Sequence, residues 1–180
     1  MAKGQEQAAP DAVLTRIGQV VMLHHAGDRE EARHRFLGLW AEIGEHGDPL
    51  HRCTLAHYLA DTQDDPGDEL AWDLRALSAA EELTRGASTD RHEGALAARA
   101  LYPSLHLNLA ADYDRLGHRE AARAHLRRAR GAARTLAADR YGEGVRAAIE
   151  RLGARLGDTG PTPDGPDRPD GRWGPPRQRP

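Results

Sequence analysis

The sequence has very little cysteine and few aromatic residues. Cys53 is the single cysteine among 180 residues, and aromatic residues make up 4% of the chain. One cysteine excludes an internal disulfide, and without a Cys-x-x-Cys pair we expect no cysteine-rich zinc site. Scarce aromatics disfavour a β-sheet fold, because strands are enriched in aromatic and β-branched side chains. Alanine, leucine and arginine are abundant instead, which favours closely packed helices.

Long apolar runs are also missing. No stretch approaches the roughly 18 apolar residues of a membrane helix, and the start of the chain, MAKGQEQAAPD, lacks the apolar middle of a signal peptide. We therefore expect a cytoplasmic protein that does not bind a membrane. The sequence contains neither a Walker loop nor a Rossmann fingerprint. We expect no enzyme activity, no catalytic residue and no cofactor.

Composition divides the chain into three parts. Residues 158–180 hold 7 of the 11 prolines and almost nothing apolar except Trp173, which predicts a disordered tail. Residues 1–10 are predicted to be a flexible N-terminus. Between them, residues 11–157 carry apolar side chains at intervals of three and four, which predicts one all-α domain.

Turn residues divide this domain into helices. Gly27 and Gly117 suit left-handed helix caps, and the Asp-Asp-Pro-Gly-Asp segment at 64–68 separates two other apolar runs. Pro49 and Pro103 suit the first turn of a helix, where a missing N–H costs nothing. The predicted helices span residues 11–26, 28–45, 49–63, 67–86, 90–102, 104–116, 118–137 and 139–156.

The two glycine turns are followed by the same spacing of small and bulky residues. A small residue stands five positions after each glycine, and a bulky residue follows nine positions after it. The small residue allows two helices to approach closely, and the bulky one fills the space where they diverge. The positions that define this repeat are Gly27, Ala32, Phe36, Tyr113, Gly117, Ala122, Leu126 and Ala129.

This pattern resembles the tetratricopeptide repeat, a helix-turn-helix unit of about 34 residues. Residues 104–129 are the best copy, whereas 50–82 form a degenerate copy with Leu70, Leu74 and Leu77 in its later positions. Residues near 87–103 are interpreted as an inserted helix. The resemblance implies a right-handed solenoid of helical hairpins with seven or eight helices, in which helix 139–156 is the C-terminal cap.

The resemblance also implies a binding surface, since the first helix of each hairpin in such repeats lines a concave groove. We interpret the protein as a non-catalytic interaction module that captures a peptide or amphipathic helix of another protein in this groove. A second copy of the chain is another possible occupant. The predicted partner-binding residues are Leu14, Ile17, Val21, His24, His57, Gln63, Leu107, Asn108, Ala111 and Arg115.

Charge is segregated along the chain, although the formal net charge is −3. Segment 61–82 has a local balance of −7, and segment 115–134 has a balance of +6. Arginines between 119 and 134 recur on one helix face, which supports an alternative function as a nucleic-acid-associated regulator. Because no aromatics are interleaved with them, a solvated helix face or head-to-tail pairing of the two segments is preferred.

A weaker alternative is a metal- or heme-binding protein. Cys53 and His57 are four residues apart on one predicted helix, so they could offer two ligands from the same face. His51 lies on the same predicted helix, and the histidines that could complete such a site are His24, His25 and His46. No acidic residue is spaced to orient these histidines, and cysteine is a common buried residue without ligand function. We therefore assign no metal ligand from the sequence.

Overall fold

A computed structural model describes residues 11–85 and 92–157, which form helices and, within these ranges, no strand. The all-α fold class is thus confirmed, while the predicted N-terminus 1–10 and tail 158–180 lie outside the described residues. None of the described helices combines the length and apolar character that crossing a membrane requires. The helices are α1 (Ala12–His25), α2 (Arg29–Ile43), α3 (Pro49–Asp61), α4 (Pro66–Arg85), α5 (His92–Arg115), α6 (Arg119–Ala133) and α7 (Arg140–Leu156).

Local sequence signals account for most helix ends. Asp11, Asp48 and Asp139 each accept hydrogen bonds from backbone N–H groups in the first turn of α1, α3 and α7. After α1 and α5 the chain turns through glycines with positive φ, 99° at Gly27 and 82° at Gly117. In both turns the N–H that follows the glycine donates to a carbonyl five residues earlier. The two hairpins α1–α2 and α5–α6 therefore share one turn geometry.

Pro103 does not begin a helix, so the predicted boundary there is wrong. It lies buried inside α5, and the predicted helices 90–102 and 104–116 form one helix that is described from His92 to Arg115. A proline in a helix interior costs about 3 kcal/mol. Contacts of α5 with α4, α6 and α7 offset that cost. The described part of the predicted insertion 87–103, from His92 onward, is therefore continuous with the first helix of the third hairpin.

The helices pack in chain order, and the odd-numbered helices also contact one another. Successive helices pack against each other from α1 to α7, with additional contacts of α1 with α3, α3 with α5 and α5 with α7. An edge-to-face contact of Trp40 with Trp72, 5.0 Å between ring centroids, joins α2 to α4. At the C-terminal end, Val145, Ile149 and Leu152 pack α7 against the core formed with α5 and α6.

The second hairpin fills its interior differently from the other two. Ala32 on α2 and Ala122 on α6 are fully buried. On α4, however, Leu74 is 40% exposed, so its predicted interior position is wrong. The inner face of α4 instead carries Asp73 and Ala76, which are both fully buried. A carboxylate thus lies on a helix face where the other hairpins have apolar side chains.

Candidate functional site

The predicted partner-binding residues lie on the odd-numbered helices, except for Gln63 just after α3, and their side chains differ in exposure. Ile17 is only 1% exposed and packs in the core around Phe36, so no partner can reach it and it does not belong to a binding surface. The side chain of Arg115 is 45% exposed, and that of His57 is 16% exposed. The remaining predicted residues are half-buried: Leu14, Val21, His24, Gln63, Leu107, Asn108 and Ala111.

Polar side chains of α5 and α7 meet between these two odd-numbered helices. The hydroxyls of Ser104 on α5 and Tyr141 on α7 are 2.5 Å apart. On α3, burial raises the pKa of Tyr58, and the charges of Asp61 and Tyr141 add to this effect. The ring of Tyr58 stacks on Phe36 of α2, with 6.1 Å between the ring centroids.

A second group of polar residues lies between α3, α4 and α5, and we call it the acidic cluster. It consists of Glu69 and Asp73 on α4 and Asp112 on α5, each with one carboxylate oxygen within 4.8 Å of the others. The side chains of Asp73 and Asp112 are 0% and 1% exposed, and that of Glu69 is 18% exposed. Two carboxylates of this cluster are thus removed from solvent, which is costly unless they are compensated.

Arg115 compensates part of this charge. Its Nη2 atom lies 2.5 Å from Glu69 Oε2 and donates to Asp112 Oδ1 at 2.6 Å. The remaining Asp112 oxygen and both oxygens of Asp73 have no hydrogen-bond partner among the residues described. Buried carboxylate oxygens normally accept hydrogen bonds or bind a cation, so these three atoms are exceptional.

The cluster perturbs the protonation of its members. Burial raises the pKa of Asp112 to about 7, and the charges of Asp73 and Glu69 add to this effect while the hydrogen bond from Arg115 opposes it. The nearby His57 places Nδ1 3.8 Å from Asp73 Oδ1. Burial disfavours the charged imidazolium, but Asp73 and Asp61 outweigh this effect and raise the pKa of His57. Proton binding therefore relieves the excess negative charge near neutral pH.

Cys53 and His57 face the same interior, but their chemistry differs. Cys53 is fully buried in the core between α3, α4 and α5. Burial, together with the charge of Asp73, raises the pKa of its thiol to about 12. A metal ligand must be a thiolate, so this environment opposes the Cys53–His57 pair as a metal or heme site. The imidazole of His57 instead interacts with the carboxylate of Asp73 in the acidic cluster.

The sequence interpretation counted Asp73 within an acidic, solvated segment and did not single out Asp112. The sequence did contain a sign that Asp112 is buried. Asp112 lies three and seven residues after Leu109 and Leu105, so it shares a helix face with these two fully buried residues. An acid on an apolar stripe is unusual unless it is paired. Which acids would meet across α4 and α5 depended on helix packing.

The arginine stripe of α6 is partly used within the protein. Arg123 donates to the carbonyl of Leu156 at 2.8 Å, and Arg130 lies 3.6 Å from Glu150. Both contacts attach α7 to α6. Arg127 and Arg134 on the same face are exposed. The stripe therefore serves helix packing as well as surface charge.

Comparisons with known proteins add no assignment to this geometry. No protein-family model matches the sequence, and neither the curated proteins nor the solved structures give a significant match.

Proposed function

We propose that this protein is a non-catalytic interaction module built as a tetratricopeptide-like solenoid of helical hairpins. In this proposal the odd-numbered helices form the inner row and bind a peptide or an amphipathic helix of a partner protein. The observation that carries the proposal is the consecutive contact of α1 with α3, α3 with α5 and α5 with α7. Such a row presents one continuous face from several helices, which suits an extended or helical ligand.

The side chains of that face suit a ligand that has both apolar and polar parts. Near α1 it offers the half-buried apolar side chains Leu14 and Val21. Towards α5 and α7 it becomes polar, with Asn108 half-buried and the hydroxyls of Ser104 and Tyr141 in contact. An amphipathic helix would satisfy both regions if its apolar side met α1 and its polar side met α5. Cytoplasmic location is part of this proposal.

The test is affinity capture of partners from native lysate with the full-length chain and two matched double variants. Gln63→Arg with Asn108→Arg introduces two positive charges on the proposed binding face. Leu37→Arg with Leu74→Arg introduces the same charges at exposed positions of α2 and α4, 43% and 40% exposed respectively. Thermal unfolding measured by circular dichroism verifies that both variants fold.

We expect the first double variant to lose the captured partner and the second to retain it. Mass spectrometry then identifies the partner, and a synthetic peptide from it measures the affinity directly. Equal capture by both folded variants would place the contact elsewhere and refute the assignment of the binding face.

The alternative, nucleic-acid binding through the arginines at 119–134, has less support. Arg123 and Arg130 already contact α7, so fewer positive side chains remain for phosphates. Phosphate contacts also make binding strongly dependent on salt concentration. Binding of generic double-stranded DNA at low salt that weakens as salt is added, and that disappears in Arg127→Ala with Arg134→Ala, would favour this alternative.

A further inference from the structure

We propose that the acidic cluster of Glu69, Asp73 and Asp112 binds one divalent, oxygen-preferring cation such as Mn²⁺ or Ca²⁺. This site does not depend on the proposed binding of a partner, although His57 and Arg115 beside it are also predicted partner-binding residues.

The oxygen spacing fits a single ion. One oxygen from each of the three carboxylates lies within 4.8 Å of the others. Calcium–oxygen bonds are about 2.4 Å long, so two ligands on opposite sides of a Ca²⁺ ion are separated by about 4.8 Å. Mn²⁺ prefers the same hard carboxylate and water ligands. Water would complete the coordination.

Unpartnered groups point to a ligand independently of the acidic composition. Asp73 is completely buried, and within the described part of the chain neither of its oxygens has a hydrogen-bond partner. His57 is not acidic, yet its buried Nδ1 atom is equally unpartnered and lies 3.8 Å from Asp73 Oδ1. Metal-bound carboxylates commonly accept a hydrogen bond from a neighbouring side chain. His57 therefore lies beside the carboxylate of Asp73, close enough to hydrogen-bond to it after a small side-chain movement.

Protons relieve the negative charge of the cluster when no metal ion is bound, and a divalent cation can replace them. When all three carboxylates are ionised, the guanidinium of Arg115 neutralises one of them, and two negative charges remain. One divalent cation removes this excess, which burial makes unfavourable. Arg115 contacts one oxygen of Glu69 and one of Asp112, so Asp112 Oδ2 remains available. An ion can enter at the rim, where Glu69 and Arg115 are partly exposed.

The test uses the full-length protein, stripped with a chelator and exchanged into chelator-free buffer near neutral pH. Mn²⁺ binding is followed by loss of the free-ion electron paramagnetic resonance signal, and Ca²⁺ binding by isothermal titration calorimetry. We expect one Mn²⁺ per chain with a dissociation constant on the order of 10⁻⁴ M or tighter. Asp73→Asn conserves side-chain size, and we expect it to weaken binding at least about tenfold.

Asp68→Asn is the matched control, because Asp68 lies on the same helix but is exposed. It removes the same charge from the acidic segment, and we expect unchanged affinity. If Asp73→Asn does not fold, Asp112→Asn gives the same comparison. Absence of Mn²⁺ and Ca²⁺ binding would overturn the proposal and leave protons as the neutralising ligands. Equal weakening by Asp68→Asn would also overturn it, because the ions would then be counter-ions of the acidic surface.

Discussion

Two neighbouring histidines between α5 and α6 predict a loss of stability in mild acid. The Nδ1 atoms of His106 and His125 are 3.1 Å apart, so one ring donates a hydrogen bond and the other accepts it. The ring of Tyr102 stacks on His106 and that of Tyr113 on His125. A proton on the accepting nitrogen breaks this hydrogen bond and places charge in a partly apolar interior.

The pKa values of the two histidines determine how folding stability changes with pH. The pKa of His106 is lowered from 6.5 to about 4. Burial is the main cause, and the charges of His125 and Arg128 contribute to the same shift. Burial and Arg128 also lower the pKa of His125. As pH falls below 6.5, the unfolded chain binds protons before the folded protein does, so folding stability decreases. The stabilisation from these lowered pKa values is fully present above the pKa that the histidines have in the unfolded chain. It is lost as the pH falls towards their pKa in the folded protein.

The size of the stability loss follows from the pKa of His106 in the unfolded chain, 6.5, and in the folded protein, about 4. Between about pH 7.5 and about pH 5, the linkage relation gives a loss of about 2 kcal/mol for this residue. The pKa of His57 and that of Asp112 are raised, so those groups act in the opposite direction over part of this range. The stability of the wild-type protein alone is therefore not diagnostic. The difference between it and a His106 variant isolates the effect.

The assay is urea unfolding followed by circular dichroism in the presence of a chelator. His106→Gln retains a donor and an acceptor but does not titrate, so we expect it to lose about 2 kcal/mol less than the wild type on acidification. His34→Gln, at an exposed position on α2, is the control and should follow the wild type. Parallel pH dependence of wild type and His106→Gln would refute the reasoning.

Substitutions at single helix positions give further predictions, each measured by urea unfolding at neutral pH. Ala122→Leu should destabilise the protein by about 1–3 kcal/mol, because Ala122 is 0% exposed and extra methylenes overpack the core. Gly117→Ala should cost about 1 kcal/mol because φ of Gly117 is 82°. Gly131→Ala should stabilise the protein by about 0.5–1 kcal/mol, because Gly131 is a solvent-exposed residue within α6 with free space where a Cβ atom would lie. Asp48→Ala should cost about 1 kcal/mol, since Asp48 caps the N–H groups of two residues at the start of α3. A stabilised Gly117→Ala would contradict the turn assignment, and a destabilised Gly131→Ala would contradict the helical, unobstructed position of Gly131.

The sequence by itself determined the helical class and most of the helix limits. Periodic apolar residues, aspartates at helix starts and glycines at helix ends are local signals, and they act through hydrogen bonds within a few residues. Pro49 begins α3 as predicted, and Pro103 was the exception. Pro103 would end an isolated helix, but α5 packs against four other helices, and that packing keeps the helix continuous.

Only the tertiary structure decided which side chains of the candidate sites meet and which are hidden. Ile17 belongs to the same apolar stripe as Leu14 and Val21, yet it is buried against α2 and α3 while they remain half-buried. Asp73 and Asp112 are distant in sequence and lie in different charge environments along the chain. They become neighbours because α4 packs between α3 and α5, so its inner face is covered on both sides. Periodicity identifies the buried face of a helix, but the partner of that face depends on how the helices assemble.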